Sequence, residues 1–122
     1  MAQQEPITLQ QVMDMITGKW PFDSKNYPAL GKLDGGFDPD EQVARFAINH
    51  IVKHQLKAMG KLAEVMEPFD HGHRQNFVVR DRLDEAVVKS FINAVRLASM
   101  TGFSAQKLME ACAEILRHGE SA

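Results

Sequence analysis

The sequence from Asp38 to Glu67, DPDEQVARFAINHIVKHQLKAMGKLAEVME, decides the fold. It opens with Asp38-Pro39-Asp40-Glu41, in which an aspartate can cap free N–H groups, a proline occupies the first helical position and Glu41 can close a capping box. Apolar residues then recur at alternating spacings of three and four, which at about 100° per residue places them on one helical face. With the polar Gln55 as one exception, they are Ile48, Val52, Met59, Leu62 and Met66. The pattern predicts one long helix that ends before Pro68 and buries this face.

The rest of the chain has three further helical patterns and no paired strand. Thr8 and Gln11 can form a capping box at the start of the first helix. Gly102 is placed to end the third helix in the left-handed conformation, and Ser104 to begin the fourth. We therefore predict an all-α, antiparallel four-helix bundle with helices at about 9–17, 39–67, 79–101 and 105–118 and a long aromatic-containing loop at 18–38. Residues 1–122 are expected to form a single helical domain, with 1–7 flexible.

The composition is ordinary for a soluble protein, with 44% hydrophobic and 25% charged residues. The formal charge of −2 argues against non-specific nucleic-acid binding, which needs a strongly basic surface. No apolar run approaches the roughly 18 residues of a membrane span, and the N-terminus lacks the pattern of a signal peptide. We therefore expect a cytoplasmic protein without membrane contact. The single cysteine, Cys112, is expected to be a buried structural thiol.

Two pairs of acids flank the connection between the second and third helices. Glu64 and Glu67 are three residues apart at the end of one helix, and Asp81 and Asp84 are three apart at the start of the next. In an antiparallel hairpin these helix ends face each other, so the four carboxylates are expected to converge. Because Mg²⁺ takes carboxylate oxygens and leaves positions open for phosphates, the four acids are candidate magnesium ligands. Alternatively, they are acids on solvated helices, the second pair matching the helix dipole.

Basic residues follow the same two helices. Lys57 and Lys61 lie one turn apart on the second helix, Lys89 and Arg96 are on the third, and Arg74 is in the turn between them. Ammonium and guanidinium groups that converge between helices would hold phosphate oxygens, so these five residues are candidate phosphate ligands. The helical wheel places the two lysines of the second helix opposite its apolar face. A solvated face or a subunit interface also explains that placement.

The loop at 18–38 contains the only tryptophan, Trp20, and the only tyrosine, Tyr27. Either these aromatic residues pack the loop onto the helices, or they form a wall for a base or contact a partner subunit. Trp20 and Asn93 are candidate base-binding residues. His50 and His54 have the helical spacing of a metal-ligand pair, but no third ligand for zinc is evident.

The helix pair resembles the MazG-like, all-α nucleoside triphosphate pyrophosphohydrolase superfamily over residues 46–116. The resemblance rests on Lys57-Ala58-Met59-Gly60-Lys61-Leu62-Ala63-Glu64 with Glu67 and Asp70-His71-Gly72, and on Ala94-Val95-Arg96-Leu97-Ala98 followed by Gly102. It implies a helical bundle that forms dimers or tetramers and binds Mg²⁺ through an ExxE…ExxD set. The implied reaction is hydrolysis of a nucleoside triphosphate to the monophosphate and pyrophosphate.

The chain departs from the pattern of that family at the metal site. Aligned on Gly60-Lys61-Leu62-Ala63 and Arg96-Leu97-Ala98, the family's acidic positions fall on Lys57, Lys61 and Lys89. A lysine in its charged form has no lone pair for a metal ion. Two hypotheses remain open: a magnesium-dependent hydrolase whose metal site is displaced onto the four acids, or a non-catalytic helical oligomer that binds a nucleotide-like anion or a protein partner.

A second resemblance concerns the hairpin from Lys61 to Val95. It is similar to the helical hairpin of phage proteins that sequester cyclic-nucleotide immune signals. The matching residues are Leu62, Ala63, Arg74, Leu83, Glu85, Ala86 and Val87. Both resemblances imply a nucleotide or nucleotide-like ligand, and the broad apolar surface of the third helix leads us to expect a homodimer or higher homo-oligomer.

Overall fold

The computed structural model describes residues 5–32, 39–72 and 77–119, with the side chains of 31, 32, 39, 40 and 77–79 excepted. The helices in these ranges are α1 (Leu9–Lys19), α2 (Pro39–Asp70), α3 (Phe77–Met100) and α4 (Ala105–His118). A short 3-10 helix, Pro28–Lys32, lies in the loop between α1 and α2. The described residues contain no strand, so the prediction of an all-α protein with four helices is confirmed. The antiparallel arrangement of all four helices stays a prediction.

The helix starts and stops follow the capping residues of the sequence at several positions. The Thr8 hydroxyl accepts the Gln11 N–H at 3.1 Å, and the Gln11 side chain accepts the Thr8 N–H at 2.7 Å. Ser104 caps α4 by accepting the Lys107 N–H, and Gly102 has the expected positive φ of 95°. α1 extends to Lys19, two residues past the predicted end, because a glycine at position 18 does not by itself stop a helix.

Pro68 does not end α2, and the predicted boundary at residue 67 is wrong. The helix continues through Pro68 to Asp70. The chain then turns where the N–H of Gly72 donates to the carbonyl of Phe69 at 3.0 Å. Gly72 takes a φ of 82°, a left-handed conformation that favours glycine.

α2 and α3 form the main packing unit. The Ser90 hydroxyl lies 3.8 Å from the Met59 sulfur, near the middle of both helices. On one side of this contact Val52 lines the same cavity as Leu97, and on the other Val65 lines the same cavity as Ala86. As residue numbers in α2 increase from Val52 to Val65, the numbers of their partners in α3 decrease from Leu97 to Ala86. These two helices therefore run antiparallel.

The buried face of α2 is not the one that the helical wheel predicts. Ala47, Ile51 and Ala58 are buried, with Ile51 only 1% exposed, whereas Val52 is 40% exposed and Met59 more so. The contact face is turned by about one residue, roughly 100° around the helix. Ala58 and Ala86 are both buried, and such small side chains let two helix backbones approach closely, which large apolar residues on the predicted face would not. The rotation brings the lysine side of α2 to the edge of the interface.

α1 and α4 pack at the far end of α3. Their core consists of Met13, Ile16 and Val95, flanked by partly buried apolar residues: Leu9, Val12, Ile92, Ala105 and Leu108. α4 has no buried residue, and Leu116 is 81% exposed. Cys112 is also exposed, so the expectation of a buried thiol is wrong. Ala105 and Leu108, at the start of α4, pack against this core, and Cys112 is not among the residues that do.

No helix in the described ranges combines the length and the apolar character that crossing a membrane requires.

Replacing the most deeply buried large side chain tests the observed rotation of α2. Ile51→Ala is expected to lower the free energy of unfolding by about 2–5 kcal/mol, because it leaves a cavity at the α2–α3 contact. Met15→Ala, at an exposed position on α1, is expected to change it by only about 0.5 kcal/mol. Urea unfolding followed by circular dichroism measures both. Equal losses in the two variants would contradict the observed burial.

Candidate functional site

A cavity of about 410 Å³ lies between α2, α3 and the loop that follows α1. We call it the cationic cavity because five basic residues line it: His54, Lys57, Lys61, Lys89 and Arg96. Its other lining residues are Trp20, Tyr27, Ala58, Ile92 and Asn93. Four of the five candidate phosphate ligands and both candidate base-binding residues thus line one cavity. The fifth, Arg74, lies outside the described residues.

The helix register explains why these charges meet. On α2, Lys57 and Lys61 stand on one side of the buried Ala58, and on α3, Lys89 stands on the matching side of the buried Ala86. The two rows face each other because the helices run antiparallel. The sequence offered Tyr27, with Trp20, as one alternative for an aromatic wall, and the folded loop brings this residue to the cavity.

Arg96 is the buried charge of the site, with only 8% of its surface exposed. Its Nη2 donates to the Trp20 carbonyl and to the Tyr27 hydroxyl, both at 2.9 Å. The guanidinium also lies over aromatic rings, 4.2 Å from the ring centre of Phe22 and 5.7 Å from that of Trp20. The ion pairs formed within the described residues do not include Arg96. A buried cation with neutral partners alone is costly, and an anion beside it would lower that cost.

An aromatic cluster ties the loop to α2. Phe22 and Tyr27 stack with ring centres 4.9 Å apart, and Tyr27 meets the ring of His50 edge-on at 4.9 Å. His50 in turn stacks on Phe46 and contacts His54, whose ring centre is 4.5 Å away. Burial in this cluster lowers the pKa of His50, and the neighbouring charges of His54, Arg96 and Lys53 lower it further. The loop aromatics therefore pack onto the helices, and Trp20 and Tyr27 also form a wall of the cationic cavity.

A second cavity of about 260 Å³ continues from the cationic cavity toward the hairpin tip, sharing Ala58, Lys61 and Lys89 with it. Here acids and bases alternate. The Lys89 ammonium lies 2.7 Å from a Glu85 carboxylate oxygen. This hydrogen bond and the charge of Lys89 hold the pKa of Glu85 below its ordinary value. The excess of positive charge is therefore greater in the cationic cavity than in this tip-side cavity, which contains Glu85.

The four candidate magnesium ligands do not converge. Glu64 lines the tip-side cavity, but Glu67 pairs with His71 at 3.9 Å and Asp84 pairs with Arg80 at 3.4 Å. Asp84 lies roughly 160° around α3 from the buried Ala86, so it points away from α2. Within the residues that the structure describes, no group of three or more His, Cys, Asp or Glu side chains could hold a metal ion. The described residues therefore do not bring the four carboxylates together, and a magnesium site at these acids stays a prediction.

Comparisons with protein-family models, with curated proteins and with solved structures found no match for this chain. The relation to the MazG-like superfamily therefore stays a prediction from the residues quoted above.

The contacts of Arg96 predict that this side chain holds the loop in place. In Arg96→Met the loop loses two hydrogen bonds of a charged donor, so trypsin is expected to cleave after Lys19 or Lys25 about tenfold faster. Emission of the single tryptophan, Trp20, is expected to shift to the red as its exposure rises. Arg82→Met, at an exposed position on the same helix, serves as the control. Unchanged cleavage and emission in Arg96→Met would show that the loop is held by other contacts.

Proposed function

We propose that the protein binds a nucleotide-like anion in the cationic cavity, without a metal ion. The single observation that favours this function is the buried Arg96 guanidinium, which has no carboxylate partner among the described residues and lies beside three lysines. A guanidinium offers several N–H donors in a fixed plane, which suits phosphate oxygens. Its Nη2 is engaged by Trp20 and Tyr27, so the remaining donors are the ones proposed to meet the ligand.

The charge balance of the cavity supports an anionic ligand. Four lysine and arginine residues line it: Lys57, Lys61, Lys89 and Arg96. Of these four, only Lys89 forms an ion pair with another described residue, Glu85. Like charges gathered around a partly enclosed cavity repel one another, and a phosphate group would relieve that repulsion. The chain as a whole is slightly acidic, so this local excess of positive charge is not a consequence of composition.

The apolar walls favour a ligand larger than phosphate alone. Aromatic and aliphatic surface comes from Trp20, Tyr27 and Ile92. The side-chain amide of Asn93 can both donate and accept hydrogen bonds at the edge of a base. A volume of about 410 Å³ lies in the range typical of small-molecule sites, roughly 300–1,000 Å³. A nucleotide-like ligand, including a cyclic nucleotide, would use both the charged and the apolar walls.

The residues present do not fit a magnesium ion. In the alignment with MazG-like proteins, the acidic positions carry Lys57, Lys61 and Lys89, and these three ammonium groups line the cationic cavity. They can bind phosphate oxygens but cannot ligate a metal. Magnesium-dependent hydrolysis at Glu64, Glu67, Asp81 and Asp84 is therefore the less favoured function.

Calorimetric titration in EDTA tests metal-free anion binding, with pyrophosphate, adenosine monophosphate and cyclic dinucleotides as probes. Lys61→Gln is expected to weaken binding about tenfold or more, because it removes a charged hydrogen bond to phosphate. Lys107→Gln, an exposed lysine at the start of α4, is expected to bind like the parent. The affinity is also expected to fall as salt concentration rises.

Two results would reject this function. One is the absence of heat and of thermal stabilisation with every probe in EDTA. The other is pyrophosphate release from a nucleoside triphosphate that requires Mg²⁺ and is lost in Glu64→Gln, which would favour the hydrolase.

We also propose that the partner of the protein is a second copy of itself. The side of the hairpin away from the cationic cavity exposes Val52, Leu56, Met59, Val87 and Phe91. Leu56 is 66% exposed and Phe91 54% exposed. Contiguous apolar surface on two neighbouring helices is uncommon on a monomer, and pairing two hairpins would bury it in a four-helix arrangement.

Sedimentation velocity tests self-association. The parent protein is expected to sediment as a dimer, and the double variant Leu56→Glu, Phe91→Glu as a monomer, because two charges per copy would be buried at the contact. Met15→Glu, an exposed apolar position on α1, is the control and is expected to remain dimeric. A monomeric parent protein would contradict the proposal.

A further inference from the structure

A separate, apolar cavity of about 250 Å³ adjoins the cationic cavity at the end opposite the tip-side cavity's shared residues, where Trp20 and Arg96 lie. We call it the methionine cavity, because Met13 of α1 and Met100 of α3 line it together with Ile16 and Val95. The loop after α1 and Val43 of α2 also contribute to its wall, and Trp20 and Arg96 line both cavities. These two side chains thus form the wall that the cavities share.

The methionine cavity opens beside the core between α1 and α3. Met13, Ile16 and Val95 are the buried residues of that core, and all three line the cavity. A space of this size against the core residues is large enough for an aromatic ring, and methionine side chains adapt well to ligands of different shape.

We propose that the two cavities are two parts of one binding site, with the phosphate of the ligand in the cationic cavity and an aromatic ring in the methionine cavity. The inference rests on the proposed function and extends it by placing the ring beyond Trp20. The ligand would run past the shared wall that Trp20 and Arg96 form.

Two hydroxyl groups give the methionine cavity a polar edge. The Thr17 hydroxyl donates to the Met13 carbonyl at 3.0 Å, so its oxygen is left to accept a hydrogen bond from a ligand. The Ser99 hydroxyl, on α3, can donate or accept. An aromatic heterocycle with N–H and ring-nitrogen groups matches this pair better than a plain hydrocarbon chain does.

Two phosphate monoesters of equal charge test the inference by calorimetric titration. Phenyl phosphate is expected to bind about tenfold more tightly than methyl phosphate, because only its ring buries apolar area in the methionine cavity. Phenyl phosphate is also expected to change the emission of Trp20, and methyl phosphate to leave it nearly unchanged.

A substitution that fills the methionine cavity separates the two parts of the site. Ser99→Leu is expected to bind phenyl phosphate and methyl phosphate with about equal affinity, because the leucine side chain fills the space for the ring. Its affinity for methyl phosphate is expected to match that of the parent protein. Ser90→Leu, also half-buried on α3 but outside both cavities, is expected to retain the preference. If Ser99→Leu lacks the helical circular dichroism of the parent, Ser99→Val provides the smaller filling variant.

The outcomes distinguish this inference from the proposed function. If neither ester binds and pyrophosphate, adenosine monophosphate and the cyclic dinucleotides also fail to bind, both are rejected. If only those three kinds of probe bind, the proposed function stands and the ring subsite is rejected. If both esters bind equally to the parent protein, or if Ser99→Leu and Ser99→Val keep the preference, the phosphate site stands and the ring subsite is rejected.

Discussion

Burial of the Arg96 guanidinium is the interaction on which the candidate site depends. Arg96 belongs to α3, yet its hydrogen bonds go to Trp20 and Tyr27, about seventy positions earlier in the chain. These contacts fix the loop against the hairpin and close one side of the cationic cavity. The same side chain faces the methionine cavity. One buried charge therefore connects the loop, the hairpin and both cavities, and it also supplies the physical reason for an anionic ligand.

Close contact between small residues decides which sides of the hairpin carry charge and which carry apolar surface. With Ala58 and Ala86 buried between α2 and α3, the lysines lie along one edge and the large apolar residues along the other. The charged edge is covered by the loop after α1, whereas the apolar edge, with Leu56 and Phe91, stays exposed. Ligand binding and self-association are thus proposed for opposite sides of the same helix pair, so neither would obstruct the other.

The resemblance to MazG-like proteins predicts acids at three positions where this chain carries lysine. In a frame that would place carboxylates around a cation, Lys57, Lys61 and Lys89 line the cavity instead. Reversing the charge of a site reverses the charge of the ligand that it stabilises. In the proposed function, phosphate oxygens meet these ammonium groups directly.

The sequence by itself determined the helices, because their signals are local. The Thr8 capping box, the Ser104 cap and the left-handed Gly102 act within a few residues, and each was correctly placed. It also identified most of the cavity's cations, since residues three or four apart on a helix share a face. The rotation of α2 was missed because a helical wheel ranks residues by hydrophobicity, whereas packing here favoured small ones such as Ala58. The burial of Arg96, the place of Tyr27 and the divergence of the four acids depend on contacts between distant segments, which only the tertiary structure decides.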